Sequence, residues 1–290
     1  MKTFNLINDV IIKKTSLAFL LFLITVACES NESTNADVLI IPETTSTAGE
    51  DLSTPQEGGV ELVSGETSVI EEMDKVNLTL RALNPFTGGG VSGLSLNWPP
   101  EFSFEPNGEL VTDMNGAVNV KIPAHSDYEV ALEGTGYKTH HIFGGTGQGD
   151  ATQLSFVSAD SLTQQVFSGL GLEVSEGHGI VVIGLDRPNL SPAIGAQAQL
   201  GAEYEKAFYV GQFGPVEGNE LVAGAGGFIS FANVAVGETD VFVTPPPGER
   251  CVLFPRNDWN ETIIEDAPSY RIEVYPGEVS IVAFTCQATP

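Results

Sequence analysis

The chain has 290 residues, and its 38 acidic residues outnumber its 12 basic ones, which gives a formal net charge of −26 at pH 7. Such a charge repels phosphate backbones and anionic lipid headgroups, so nucleic acid is disfavoured as a partner and a membrane link needs something other than a basic patch. With 32 glycines and 17 prolines, the composition predicts many turns and few long helices.

The N-terminal segment predicts export from the cytoplasm. Three lysines precede an apolar stretch at residues 17–26, and a small residue, Ala27, stands before Cys28. This layout is typical of a signal peptide over residues 1–27. A membrane-spanning helix needs about 20 consecutive apolar residues, and the run from 15 to 27 is shorter. The segment is therefore predicted to be removed, which leaves 9 basic and 37 acidic residues and a charge of 9 − 37 = −28.

The end of the apolar stretch, ITVAC, resembles the lipobox of bacterial lipoproteins. In that family a small residue precedes a cysteine that is lipidated on sulfur and becomes the new N-terminus; Thr25 stands where the family prefers Leu. The resemblance implies a lipid anchor of the palmitate type on Cys28 and a place in the bacterial cell envelope, on either face of the outer membrane. Two or three acyl chains, at about 0.8 kcal/mol per buried methylene, would hold a domain on a bilayer. The alternative is an ordinary signal peptide with an incidental cysteine.

Residues 28–73 predict a disordered acidic tether. The segment is rich in Ser, Thr, Glu and Gly and has only short apolar islands. A segment of low hydrophobicity and one sign of charge does not bury enough apolar surface to offset its ordering entropy. Some 45 flexible residues would span about 35 to 40 Å, enough to hold a domain clear of lipid headgroups.

From Val76 onward, alternating apolar and polar residues predict an all-β fold, with two tandem antiparallel β-sandwich domains of the transthyretin-like or immunoglobulin-like kind. In the first domain, residues 74–158, the stretch at 111–143 has Thr112, Asp113, Asn115 and Gly116 in a turn, Pro123 after a strand, Tyr128 opening the next, and Gly136 and Tyr137 at its end. These pieces resemble the carboxypeptidase regulatory-like domain. The resemblance implies a non-catalytic accessory module.

The second half repeats the first. Residues 223–243 match residues 112–132 at a constant offset of 111, which indicates internal duplication and a second sandwich over residues 177–290. Between the copies, residues 159–176 predict a connector with a short helix. Ser158 or Asp160 would cap it, Gly169 or Gly171 would end it, and one side would carry Leu162, Val166 and Leu170.

The cysteines divide into one anchor and one pair. With Cys28 assigned to lipid, Cys251 and Cys286 remain, 35 positions apart in a chain predicted to reach an oxidising compartment. A disulfide there would contribute about 3 to 4 kcal/mol in the chain-entropy model. Two free buried thiols are the alternative.

No catalytic, cofactor or metal site is predicted. Asp113 and Asn115 begin like a calcium loop, but further acidic ligands do not follow at the required spacing, so a plain turn is favoured. His140 and His141 are neighbours on a strand and would point to opposite faces. His125 and His178 lie in loops without a cysteine or carboxylate cluster at zinc spacing.

Because the sequence predicts no catalytic, cofactor or metal site, two classes of function remain. The first is a non-catalytic envelope protein that presents β-sandwiches for structural or protein-binding roles, and the second is a carbohydrate-binding surface lipoprotein. Trp259 is the one aromatic predicted to reach a ligand, by stacking on a sugar face. A structural role for Trp259, in which its ring covers the nearby disulfide, is preferred over sugar stacking. The first class of function, a structural or protein-binding role, is therefore favoured.

Overall fold

The structure is a computed structural model that describes residues 74–102, 104–255 and 269–289. All of them belong to one compact unit, Ser68–Pro290. The predicted signal peptide, Cys28, the predicted tether and Trp259 lie outside the described residues. The predictions made for them remain predictions.

The first half forms two sheets. Its strands are β1 (Lys75–Leu83), β2 (Ser95–Asn97), β3 (Glu105–Pro106), β4 (Ala117–Pro123), β5 (Asp127–Glu133), β6 (His140–Gly145) and β7 (Ala151–Phe156). One sheet has the order β3-β4-β1-β7, and β6, β5 and β2 are neighbours in another. The β1–β7 pairing is parallel, whereas β1–β4 and β5–β6 are antiparallel.

Between these two sheets lies the first core. Strand β1 alternates buried and partly exposed positions along its length, as the period-two pattern predicts. Its buried residues meet those of β4 and β5 in a cluster whose members all lie between Val76 and Val157. The first half therefore has a core of its own.

A helix connects the halves, and its cap differs from the prediction. Helix α1 (Asp160–Gly169) has Ala159 at its N-cap and no side-chain cap. Ser158 lies one residue before the N-cap, and Asp160 is the first residue of the helix, so neither predicted residue holds the N-cap position. Gly171, with φ of 69°, ends the helix as predicted. Phe167 is the large side chain that α1 buries fully. Of the predicted apolar side, Val166 and Leu170 are partly buried and pack against the same cluster as Phe167.

The described residues of the second half form nine strands. They are β8 (His178–Asp186), β9 (Gln197–Leu200), β10 (Lys206–Gly211), β11 (Gly214–Glu217), β12 (Phe228–Ala235), β13 (Gly237–Thr244), β14 (Glu249–Leu253), β15 (Ser269–Val274) and β16 (Val279–Ala288). A three-stranded sheet has the order β15-β13-β9, and the run β11-β10-β12-β8-β16 belongs to a larger sheet. A second core lies between them; with the exception of Phe143, its members lie between residues 181 and 286.

The sheet orders of the two halves correspond strand by strand. The run β3-β4-β1-β7 matches β10-β12-β8-β16, and β6-β5-β2 matches β15-β13-β9. Both β7 and β16 pair in parallel with the strand that opens their half. The offset of 111 carries Ala117, the first residue of β4, onto Phe228, the first residue of β12. The topology therefore agrees with the duplication inferred from the sequence.

The two halves are also joined through a shared sheet, which the sequence did not predict. Residues 279–282 of β16 pair in parallel with residues 140–143 of β6, so nine strands from both halves form one sheet. Ile142 packs in the first core, and its neighbour Phe143 packs in the second. Since adjacent strand residues point to opposite faces, the two smaller sheets cover opposite faces of the shared sheet.

The same strand β16 carries the disulfide. Its C-terminal half pairs with β14, and the directly opposite residues Cys251 and Cys286 form the bridge, as the sequence predicted. Both cysteines are buried in the second core. The bridge therefore fixes the last strand of the chain to its neighbour.

Because each half holds its own core, residues 74–158 and residues 177–290 are expected to fold separately. Circular dichroism of each fragment should show β structure and a cooperative melt. Reductant should lower the melting temperature of the second fragment alone, since only that fragment contains cysteines, and the loss should correspond to about 3 kcal/mol.

The intact chain, melted under the same conditions, is the control. If residues 74–158 are unfolded alone while the intact chain melts in one transition, the shared sheet is required for folding and the halves form a single folding unit.

Candidate functional site

The residues that resemble the start of a calcium loop are used inside a turn. Asp113 Oδ1 accepts hydrogen bonds from the backbone N–H groups of Asn115 and Ala117, both at 2.8 Å. The N–H groups of Ala117 and Asn115 lower the pKa of Asp113. Within the described ranges, no group of three or more His, Cys, Asp or Glu side chains is arranged to hold a metal ion.

His140 is buried against the start of α1 and is neutral. Its Nδ1 lies 2.7 Å from the carbonyl oxygen of Lys138, and its Nε2 lies 3.1 Å from the backbone nitrogen of Ser158. The Ser158 N–H needs an acceptor, so Nε2 carries no proton and Nδ1–H donates to Lys138. Burial lowers the pKa of His140 to about 4. As pH falls from 6.5 towards 4, the unfolded chain takes up this proton first, so His140 makes the native state less stable in acid.

His141, on the opposite face of β6, has carboxylates at both ring nitrogens. Nδ1 lies 2.8 Å from Glu129 Oε1, and Nε2 lies 2.5 Å from Glu278 Oε2. Burial acts to lower the pKa of His141, but the hydrogen bonds to Glu129 and Glu278 outweigh it and raise the pKa above its ordinary value of 6.5. The charged ring donates to both carboxylates and thereby links the two halves.

Tyr275 completes this cluster. Its ring stacks on the His141 ring with centroids 3.8 Å apart, and its hydroxyl donates to Glu129 Oε1 at 2.8 Å. Burial, followed by the hydrogen bond to Glu129, raises the pKa of Tyr275, so the hydroxyl keeps its proton. The cluster thus joins β5 and β6 of the first half to the β15–β16 turn of the second.

The role of His141 was missed at the sequence level. Glu129 lies 12 positions away, and Glu278 lies 137 positions away. Only the pairing of β6 with β16 brings Glu278 to the ring. The sequence signal was limited to the alternation that separates His140 from His141, and the structure confirms that these two histidines point to opposite faces.

Next to this cluster lies a groove of about 450 Å3 between β5 and β15, which we call the β5–β15 groove. Five carboxylates and one guanidinium line it, together with aromatic rings. The charged side chains are Glu101, Asp127, Glu129, Glu238, Glu273 and Arg271. Burial, and then repulsion from Glu238 and Glu129, raises the pKa of Glu273. The groove therefore has a surplus of negative charge that a bound cation would relieve.

The remaining predicted residues do not join this groove. Cys251 and Cys286 are buried in the second core. His178 lies at the start of β8, where Nδ1 is 3.3 Å from the carbonyl oxygen of Glu176, and His125 lies in the turn before β5 with φ of 52°. The aromatic rings that line the groove are instead Phe102, Tyr128, Phe143, Tyr270 and Tyr275.

Comparisons with known proteins give weak likenesses only. No protein-family model matches the chain, and no curated protein matches it. Among solved structures, the chain is similar to the Bacillus anthracis TIE protein at 12% identity and a TM-score of 0.22, over 73% of this chain and 34% of that one. The present chain thus spans about a third of the TIE protein's length.

Two pilin structures are similar over more of their own length. The minor pilin GBS52 of Streptococcus agalactiae matches at 11% identity and a TM-score of 0.25, over 74% of this chain and 96% of that one. The shaft pilin spaA of Lactobacillus rhamnosus GG matches at 9% identity and a TM-score of 0.21, over 75% and 99%. The all-β fold of this chain is evident from its own strands.

Among the residues that the structure describes, no helix has the length and apolar character needed to cross a membrane.

The His141 cluster generates a pH prediction. A group whose pKa is raised on folding adds stability fully below its unfolded pKa, and this stability is lost as pH rises through the folded pKa. His141→Gln should therefore lower the free energy of unfolding by about 1 to 2 kcal/mol at pH 5.5, and the difference from the parent chain should shrink by pH 9. Urea unfolding of both chains at the two pH values measures it.

His178→Gln is the matched control, since it removes a histidine outside the cluster, and its effect should be small at both pH values. A His141→Gln effect of equal size at pH 5.5 and pH 9 would show that the ring acts by packing and not by charge.

Proposed function

We propose that the protein is a non-catalytic, lipid-anchored protein of the bacterial cell envelope that presents its joined β-sandwiches to a protein partner. Anchoring through Cys28 at the outer membrane is supported by the lipobox resemblance at the end of a short apolar run. The acidic segment after Cys28 would keep the folded unit clear of the headgroups. The resemblance of residues 74–145 to carboxypeptidase regulatory-like domains also favours an accessory role.

The observation that carries the proposal is the joining of two sandwiches by strand pairing. Residues 140–143 and 279–282 make the two halves continuous in one sheet, and the His141 cluster ties the same place with charged hydrogen bonds. A unit of this kind offers strand edges and grooves on which a partner could bind. Asp113, His140 and His141 all have hydrogen-bond partners within the fold.

Carbohydrate binding is the second candidate, and the β5–β15 groove is the observation that favours it. Phe102, Tyr270 and Tyr275 line the groove beside carboxylates. Saccharide sites commonly combine an aromatic face with polar groups that bind hydroxyls. A glycan array probed with the full-length chain decides between the candidates, because clear binding of a saccharide would overturn the protein-binding proposal.

Anchoring is tested by removing the sulfur. With Cys28→Ser, the chain should leave the membrane fraction and appear in the aqueous phase of a detergent partition, since the acyl chains that supply the membrane affinity have no attachment point. The parent chain, with Cys28 in place, should stay with the detergent, and mass spectrometry should find acyl groups on its N-terminal cysteine.

Ser33→Ala, five residues beyond Cys28, is the matched control and should partition like the parent. Equal retention of Cys28→Ser in the membrane would contradict the anchor.

A further inference from the structure

Strands β6 and β15 occupy the same place in the two halves. Each is the end strand of a three-strand run, β6-β5-β2 or β15-β13-β9. On the side of β6 away from β5, strand β16 pairs with β6 in parallel. Across residues 74–102, 104–255 and 269–289, β15 pairs with β13 and with no other strand. We call the side of β15 away from β13 its outer edge.

The β5–β15 groove follows this outer edge. Four consecutive residues of β15, 270–273, line the groove, and so do residues 127–129 of β5 and Phe143 of β6. Side chains on a strand alternate between faces, so consecutive lining residues indicate that the groove runs along an edge and not over one face. The backbone carbonyl of Glu273 accepts a hydrogen bond from Ser280 Oγ of β16 at 2.6 Å. Residues 269–272 of β15 therefore offer a length of about 13 Å to an added strand.

Charge decides which strand fits. Five carboxylates and one guanidinium line the groove. The guanidinium of Arg271 is bound to Asp240, with Nε 3.0 Å from Oδ1, and its Nη1 lies 3.9 Å from Glu238 Oε2, so one cation is shared between two carboxylates. A second copy of the chain would bring its own net charge of −26 to this edge. The strand of the second copy that corresponds to β16 is β7. Strand β7 begins directly after Asp150, so this strand would bring a further carboxylate towards the groove. Like charges across an interface oppose association, so a second copy is disfavoured.

A basic segment suits the same surface. Lysine or arginine side chains would meet the carboxylates of the groove and lie near the rings of Phe102, Tyr270 and Tyr275, which attract cations through their faces. An extended segment would also use the N–H and C=O groups of a strand edge, as in other cases where a peptide adds a strand to a sheet.

We propose that the outer edge of β15 binds an extended, lysine- or arginine-bearing segment of a partner protein, which pairs with β15 as β16 pairs with β6 and places its basic side chains among Glu101, Glu238 and Glu273. This deepens the proposed function and rests on its protein-binding form.

The test uses the full-length chain in detergent and a fluorescent eight-residue peptide of alternating Lys and Thr, capped at both ends. Fluorescence polarisation should show saturable binding that weakens as NaCl is added. The joint variant Glu238→Gln with Glu273→Gln should weaken binding by about tenfold. The charge-matched control, Glu109→Gln with Glu203→Gln, removes two exposed carboxylates outside the groove lining and should bind like the parent.

Peptide variants test the strand pairing without touching the protein. Methylation of alternate backbone nitrogens removes the donors that a strand edge needs, so binding should be lost. A photo-reactive group on the parent peptide should cross-link to β15 or β5. Equal binding of the methylated peptide, equal weakening by both double variants, or no binding at all would overturn the proposal.

Two further outcomes would name another occupant and also overturn it. Concentration-dependent self-association in sedimentation, relieved by Glu238→Gln with Glu273→Gln or by the peptide, would assign the edge to a second copy. Displacement of the peptide by cellohexaose would assign the groove to a saccharide, and the protein-binding function would fail with it. If the parent chain binds neither the peptide nor any glycan on the array, the proposed site at β15 is wrong. The protein-binding function would then have to use another surface.

Discussion

The parallel pairing of β6 with β16 is the constraint on which the rest of the described structure depends. It makes one sheet out of strands that belong to two repeats, and it places Ile142 in one core and Phe143 in the other. A strand buried on both faces needs apolar side chains at successive positions, and residues 142 and 143 supply them. The two smaller sheets then cover opposite faces because no other arrangement buries both side chains.

Two neighbouring histidines on β6, His140 and His141, have different charge states. His140 accepts a backbone N–H in an apolar surrounding and stays neutral, whereas His141 meets two carboxylates and is charged. The difference arises from which face each ring enters, since both belong to one strand. Their effects on stability oppose each other in acid, where His141 stabilises the native state and His140 destabilises it.

Duplication explains why a groove exists where it does. In the first half, the edge of β6 is covered by β16 from the second half. In the second half, β15 is the corresponding strand, and among the described residues it pairs with β13 alone. Exposed strand edges need charge or a partner to prevent indiscriminate pairing. The carboxylates around β15 are consistent with both needs.

The sequence by itself determined the local features of this protein. Period-two alternation predicted β1, β4 and β5, the offset of 111 predicted matching strands such as β4 and β12, and cysteine counting predicted the bridge between Cys251 and Cys286. These features follow from residues close in the chain, or from self-similarity that can be read without coordinates. The predicted helix cap was wrong, since Ala159 holds the N-cap position and no side chain caps the helix.

Only the tertiary structure decided how the halves meet and where the candidate site lies. The pairing of β6 with β16 joins residues about 139 positions apart, and no periodicity encodes which edge strand meets which. The His141 cluster and the β5–β15 groove both arise from that choice, since Glu278 and Tyr275 reach the first half only when β16 lies beside β6. Strand edges present the same backbone groups whatever their side chains, so the sequence pattern specifies the strands while packing of the whole unit selects their neighbours.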